Sequence, residues 1–155
     1  MVGRPKSGLA VNAMASFEKT VTSDPANLAP VRKEVEAFLA GAGIAEAGIA
    51  NVGLCLNEAM ANIIRHAYRG AEDRPIKVGA EVENGRVTIT LRDWGNGRDP
   101  STCCGNNDPL TPGGLGLNCL RRLMDEVTFT PQPDGMLLTL SCNGARCAAS
   151  TQNQS

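Results

Sequence analysis

Ile76, Val78, Ala80 and Val82 alternate with polar or small residues up to Asn84-Gly85, and Val87, Ile89 and Leu91 resume the alternation beyond it. Period-two spacing puts every second side chain on one face of a sheet. Asn-Gly is the dipeptide that most readily takes the two positive-φ positions of a tight hairpin turn. Two antiparallel strands with a single apolar face must therefore lie mid-chain, and other elements must cover that face.

The flanking sequence supplies the cover. From about Ala45 to Tyr68, Ile49, Val52, Leu56, Ala59, Ile63 and Ala67 recur at helical spacing, with Gly70 as the stop. Ser16 to Thr22 alternates around Phe17 and Val21 as a half-buried strand. Ser23 and Asp24 then offer a cap, Pro25 sits in a first helical turn, and Leu28, Val31, Val35, Phe38 and Leu39 form a stripe ending near Gly41 or Gly43. Gly95 to Gly116 is too rich in Gly, Pro, Asn and Asp, and too long, for a simple connection, which predicts a lid. Leu117 to Met124 returns to helical spacing; Val127 to Phe129 and Met136 to Ser141, joined through Pro133-Asp134-Gly135, read as a closing hairpin.

Strands that come mostly in hairpins, with helices inserted in blocks, predict an α+β, two-layer sandwich. The expectation is one mixed, mostly antiparallel sheet covered on one face by three helices. The 155 residues suit one domain over 15–142, with flexible ends at 1–14 and 143–155.

A formal net charge of −1 lacks the basic footprint of a nucleic-acid or anionic-membrane binder, so neither partner is expected. No apolar run approaches the roughly 20 residues needed to span a bilayer, and the N-terminus is too weakly apolar for a signal peptide; the reading is a soluble, cytoplasmic protein. Six cysteines occur without a Cys-x-x-Cys pair, and no His-x-x-x-His accompanies them, so zinc is not expected. Cys55 and Cys119 fall in helical patterns and read as buried, reduced thiols.

Three clusters carry chemistry. Glu58 and Asn62 stand four apart on one helix, about 40° from each other, on a face read as opposite the apolar stripe. Asp93-Trp94-Gly95-Asn96-Gly97 stands where a strand ends; its carboxylate can accept a hydrogen bond from an exocyclic amine while the glycines let backbone approach a ligand. Gly113-Gly114-Leu115-Gly116-Leu117 opens a helix, where free amides and the positive dipole end favour phosphate. Taken singly, each is also what a solvated helix face, a turn or a glycine-rich connection contains.

In this order the clusters resemble the GHKL ATPases: Leu56 to Tyr68 is similar to the N box, Asp93 to Gly97 to the first glycine box, and Gly114 to Leu117 to the second. The His66-Ala67-Tyr68 ending, the compact lid and Leu123 to Val127 resemble the RsbW-type anti-sigma serine kinases, over roughly Phe17 to Leu140. The resemblance implies ATP and Mg2+ as ligands, with Glu58 as general base, Asn62 on Mg2+ and Asp93 on adenine. Gly95, Gly97, Gly113, Gly114, Leu115, Gly116 and Leu117 would line the nucleotide. It also implies a STAS-type anti-anti-sigma protein and a sigma factor as partners, a homodimer, and a packed, hydrogen-bonded His66. Arg32 is expected to project from the first helix towards a partner.

Two departures stand out. Met136-Leu137 follow Gly135 where the family usually has Thr-Thr, and Arg98 is the only cation between Gly95 and Leu117. An ATP-dependent binding switch without phosphotransfer is the alternative that the second departure motivates.

Overall fold

The computed structural model describes residues 14–95 and 112–143, with side chains from residue 118 onward in the second segment. Five strands form one sheet in the order β1-β2-β3-β5-β4: β1 Met14–Thr22, β2 Pro75–Glu83, β3 Arg86–Asp93, β4 Glu126–Gln132 and β5 Gly135–Asn143. Three helices, α1 Leu28–Gly41, α2 Glu46–Asn62 and α3 Pro112–Leu123, cover one face. The α+β sandwich is as expected.

The expected mixed sheet is corrected: all four ladders are antiparallel. Connectivity explains it. Two helices between β1 and β2 return the chain so that β2 runs against β1. The single helix α3 would make β4 parallel to β3 if the two paired. Instead β5 folds back between them and runs against both.

The central hairpin has the predicted register, Val82 facing Val87 and Ile76 facing Asp93. Asn84 (φ 54°) and Gly85 (φ 82°) both take the left-handed conformation that a two-residue turn of this hand requires. Ile76, Val78, Ile89, Leu91, Leu138 and Leu140 are at most 4% exposed and make the inner face on which α2 lies.

Beyond Asn62 the α2 helix widens into a π turn over Ile63–Ala67, closed by the Tyr68 amide donating to the Ile63 carbonyl at 3.0 Å. Gly70 ends it at φ 86°. The combined helix, Glu46–Ala67, has 22 residues, and an 18-residue stretch of it has a mean hydropathy of 1.2. By length and composition it could cross a membrane, which corrects the expectation that no segment could. Its apolarity has another use here: α2 packs between α1 and α3 above the sheet, and Val52, Cys55, Leu56, Ala59 and Met60 are buried.

Other boundaries move for local reasons. The strand expected from Ser16 begins at Met14 and pairs with Glu83. Asp24 alone caps, accepting from the Ala26 amide at 2.9 Å, and the cap opens a 3-10 turn over Pro25–Asn27 before α1 begins. Ser23 turns inward, donating to the Ala71 carbonyl at 2.5 Å and accepting from the Arg74 amide at 3.1 Å. Helix α3 starts at Pro112, ahead of Leu117, so the run Gly113 to Leu117 lies within its first turns. Cys55 and Cys119 are free thiols as expected, whereas Cys142 is disulfide-bonded. The flexible ends and most of the lid, including Gly97, lie outside the described residues.

Candidate nucleotide-binding site

A cavity of about 40 Å3 opens between α2, α3 and the far half of the sheet. Asn62 and His66 line it from the helix, Asp93 from the end of β3, and Met136 and Leu138 from β5. Leu120 of α3 and Phe129 of β4 close the apolar wall.

Asp93 is the polar group buried in this wall, at 4% exposure. Its carboxylate accepts from the Gly95 amide at 2.9 Å and from the Met136 amide. Burial pushes the carboxyl above its usual range, against the opposing pull of the Gly95 amide, Arg92 and the Met136 amide. A buried acceptor at a strand end, beside apolar walls, suits the amine edge of a flat heterocycle.

Four side chains and two glycines position that carboxylate. The Tyr68 hydroxyl donates to the Pro75 carbonyl at 2.5 Å and accepts from the Trp94 amide at 2.8 Å, tying the end of the π turn to both β2 and β3. Burial raises the Tyr68 hydroxyl pKa, so it remains a donor. Arg92 donates to the Asp93 carbonyl and to Asp134 (3.0 Å to Oδ1), and its guanidinium stacks 4.5 Å from the centroid of the Trp94 ring. Gly135 has φ 121°, and a Cβ there would stand 1.9 Å from the Asp93 carbonyl oxygen. A Cβ on Gly95 would stand 2.4 Å from the Ala67 carbonyl oxygen. Gly95 is thus a packing glycine against the π turn and is not among the residues lining the cavity.

Asn62 is half-buried, and its Oδ1 accepts from the Arg65 guanidinium at 3.2 Å. Glu58, one turn earlier, is also half-buried and does not line the cavity. Its charge reaches Cys55 and Cys119. The pair therefore does not face away from the apolar stripe: Asn62 shares the cavity wall with Ala59 and Ile63 of that stripe. The reason is that α2 is flanked by helices on two sides.

Two further expectations are corrected. His66 is exposed at the cavity rather than packed; partial burial and the Arg65 charge hold its pKa below the ordinary value. Arg32 does not project freely: its Nε is buried without a hydrogen-bond partner, and its side chain packs beside Glu36 across Gly53 of α2.

Among the described residues no group of three His, Cys, Asp or Glu could hold a metal ion. One amide oxygen at the cavity, already attracting a cationic donor, suits a hard ion that takes most of its ligands from phosphate and water; Mg2+ fits that donor set. The sequence pattern named Tyr68 only as the end of a motif and gave no site role to it or to Arg92, Leu120, Phe129 or Leu138. Only Tyr68 carried a signal, as a tyrosine closing the helical pattern.

An open sheet with helices on one face, and a buried strand-end carboxylate facing a polar helix position across a cavity, define a ligand-binding α+β sandwich. A model of the histidine kinase-like ATPase domain matches residues 21–142, and the chain belongs to that family. The serine-protein kinase RsbW of Bacillus pumilus is 29% identical over 122 residues, covering 72% of this chain and 75% of that protein. RsbW of Staphylococcus epidermidis is 31% identical over 108 residues, covering 63% and 68%. The anti-sigma F factor of Halalkalibacterium halodurans is 28% identical over 109 residues, covering 66% and 73%. Among solved structures, the RsbU and RsbW domains of a Mycobacterium tuberculosis protein superpose with a TM-score of 0.63 at 20% identity, over 83% of this chain and 32% of that one. That likeness shows the fold. The GHKL, RsbW-type resemblance of the motifs therefore holds at the level of family, fold and related proteins.

Proposed function

We propose that this protein is a cytoplasmic anti-sigma factor and serine-protein kinase that binds Mg·ATP in the cavity between α2, α3 and the sheet. Its protein substrate in this reading is a STAS-type anti-anti-sigma partner. The observation that carries the reading is the buried Asp93 carboxylate opposite Asn62, in a chain of the histidine kinase-like ATPase family whose relatives are named RsbW and anti-sigma F factor.

Each residue has a task in this reading. Asp93 accepts a hydrogen bond from the adenine amine, with Met136, Leu138 and Phe129 excluding water around the ring. Asn62 would hold Mg2+ through its amide oxygen, and the ion, when bound, draws charge from the phosphate oxygens. Gly113, Gly114 and Leu115, in the first turn of α3, carry the amides that helix geometry leaves free for phosphate. Glu58 takes the proton of the attacking serine hydroxyl.

A second reading, an ATP-dependent switch without phosphotransfer, is favoured by Glu58 standing outside the cavity lining and by Arg98 being the only cation between Gly95 and Leu117. Intact-mass measurement of a STAS-type partner after incubation with Mg·ATP separates them. A gain of one phosphoryl group with wild type and none with Glu58→Gln is the kinase outcome. Nucleotide-dependent binding without any mass gain is the switch outcome, and no ATP binding at all rejects both.

A further inference from the structure

Arg65 stands in the π turn, three positions beyond Asn62, and its Nη2 donates to the Asn62 Oδ1 at 3.2 Å. Asn62 lines the cavity, whereas Arg65 is exposed and lies outside the lining. Among the described residues Arg65 forms no ion pair, so a guanidinium with its fork of donors rests on a neutral amide oxygen. That oxygen is the one the nucleotide-binding reading gives to Mg2+.

We propose that Arg65 is a built-in competitor of the metal: its guanidinium covers the Asn62 oxygen, and Mg2+ is bound there only after that hydrogen bond opens. The inference rests on the assignment of Asn62 to Mg2+. A cationic donor on an amide oxygen draws lone-pair density away from any metal on the same atom. Mg2+ takes its oxygen ligands at about 2.0–2.1 Å. Even on the second lone pair of Oδ1 it would stand only about 5 Å from the guanidinium, a separation at which a dication and a cation repel appreciably in water. The two cations therefore exclude one another. The apparent metal affinity is then the intrinsic affinity multiplied by the fraction of molecules in which the oxygen is open.

The contact is weak enough to yield. It joins exposed groups three positions apart on one helix, where such pairs shift an equilibrium by no more than severalfold. A change of the Arg65 rotamer releases the oxygen without any movement of α2. A buried cation in its place would have shut the metal out, and a side chain without a donor would have left the oxygen open at every metal concentration. The metal requirement of the cavity is thus set by one side chain outside its lining.

Calorimetry of ATP binding to the full-length chain, over a series of Mg2+ concentrations and in EDTA, tests this. Arg65→Ala changes an exposed helical position and should fold as wild type does. It is expected to reach half of its Mg2+-dependent gain in ATP affinity at a roughly two- to fivefold lower Mg2+ concentration, with affinity in EDTA unchanged. Arg65→Lys keeps a cationic donor within reach of Asn62 and is expected to restore the wild-type Mg2+ requirement. A midpoint that does not move in Arg65→Ala would overturn the proposal and leave a solvated surface pair. So would a loss of ATP affinity in EDTA, which would make the guanidinium a ligand of the phosphates. Absence of ATP binding by wild type, or binding indifferent to Mg2+, would instead overturn the reading of the cavity on which this inference rests.

Discussion

The Cα of Gly135 lies so close beneath Asp93 that a single added methyl group would come within 1.9 Å of the Asp93 carbonyl oxygen and 2.7 Å of its carbonyl carbon. The turn that closes the β4–β5 hairpin is therefore also the support of the carboxylate in the cavity. Gly135→Ala must move backbone, and it must do so at φ 121°, where an L side chain is strained. The expected cost is about 2–4 kcal/mol in urea denaturation, with ATP affinity lost alongside. Gly79→Ala is the control. Its nearest neighbour, at 2.6 Å, is the Thr90 hydroxyl, a side-chain group that can turn away, so the loss should be under about 1 kcal/mol and ATP binding unchanged.

Tyr68→Phe leaves the ring in place and removes the hydroxyl that joins the Pro75 carbonyl to the Trp94 amide. Two backbone groups lose their partner, for an expected destabilisation of about 1–3 kcal/mol. Trp94 is the only tryptophan in the chain, so its emission reports the change directly. A spectrum identical to wild type would mean that the hydroxyl does not hold Trp94.

Asp93→Asn tests the carboxylate in two ways. Presenting an amide donor to the adenine amine should lower ATP affinity by roughly ten- to a hundredfold in calorimetry, with the fold retained. The pH dependence has a definite sign. Burial raises the folded pKa above the unfolded one, so between the two values the folded state binds more protons than the unfolded state. Stability from this group therefore falls as pH rises through that window and is restored below it. Relative to Asp93→Asn, wild type should lose stability on going from acid towards neutral pH. A difference that is flat with pH would show that Asp93 is not desolvated.

Asn62→Ala removes an oxygen whose hydrogen-bond donor is the exposed Arg65 guanidinium, so stability should change by no more than about 0.5 kcal/mol. Mg2+-dependent ATP affinity should be lost. Unchanged affinity in the presence of Mg2+ would take Asn62 off the metal.

Legibility in the sequence followed the range of the interactions. The β2–β3 hairpin was readable because alternation and the Asn84-Gly85 turn are local and mutually consistent. Helix α2 was readable from spacing, and Gly70 from its place after the last apolar turn. Asn62 and Asp93 could be picked out because a polar helix position and a strand-end carboxylate are each short segments, and both stand in the cavity wall. None of these needed contacts distant in sequence.

Tertiary packing decided the rest. The antiparallel sheet came from β5 inserting between β3 and β4, a choice made by pairing partners far apart in the chain. The π turn at Ile63–Ala67 has no local signature; it stands where Ala67 must meet Gly95 and Tyr68 must reach both Pro75 and Trp94. The cavity wall of Leu120, Phe129, Met136 and Leu138 joins α3, β4 and β5, three elements whose spacing pattern says only that each is apolar on one side. Periodicity tells which face of an element is buried. Which face it is buried against, and hence whether Glu58 borders a cavity, His66 stands open or Arg32 is covered, depends on the long-range contacts that only the folded chain supplies.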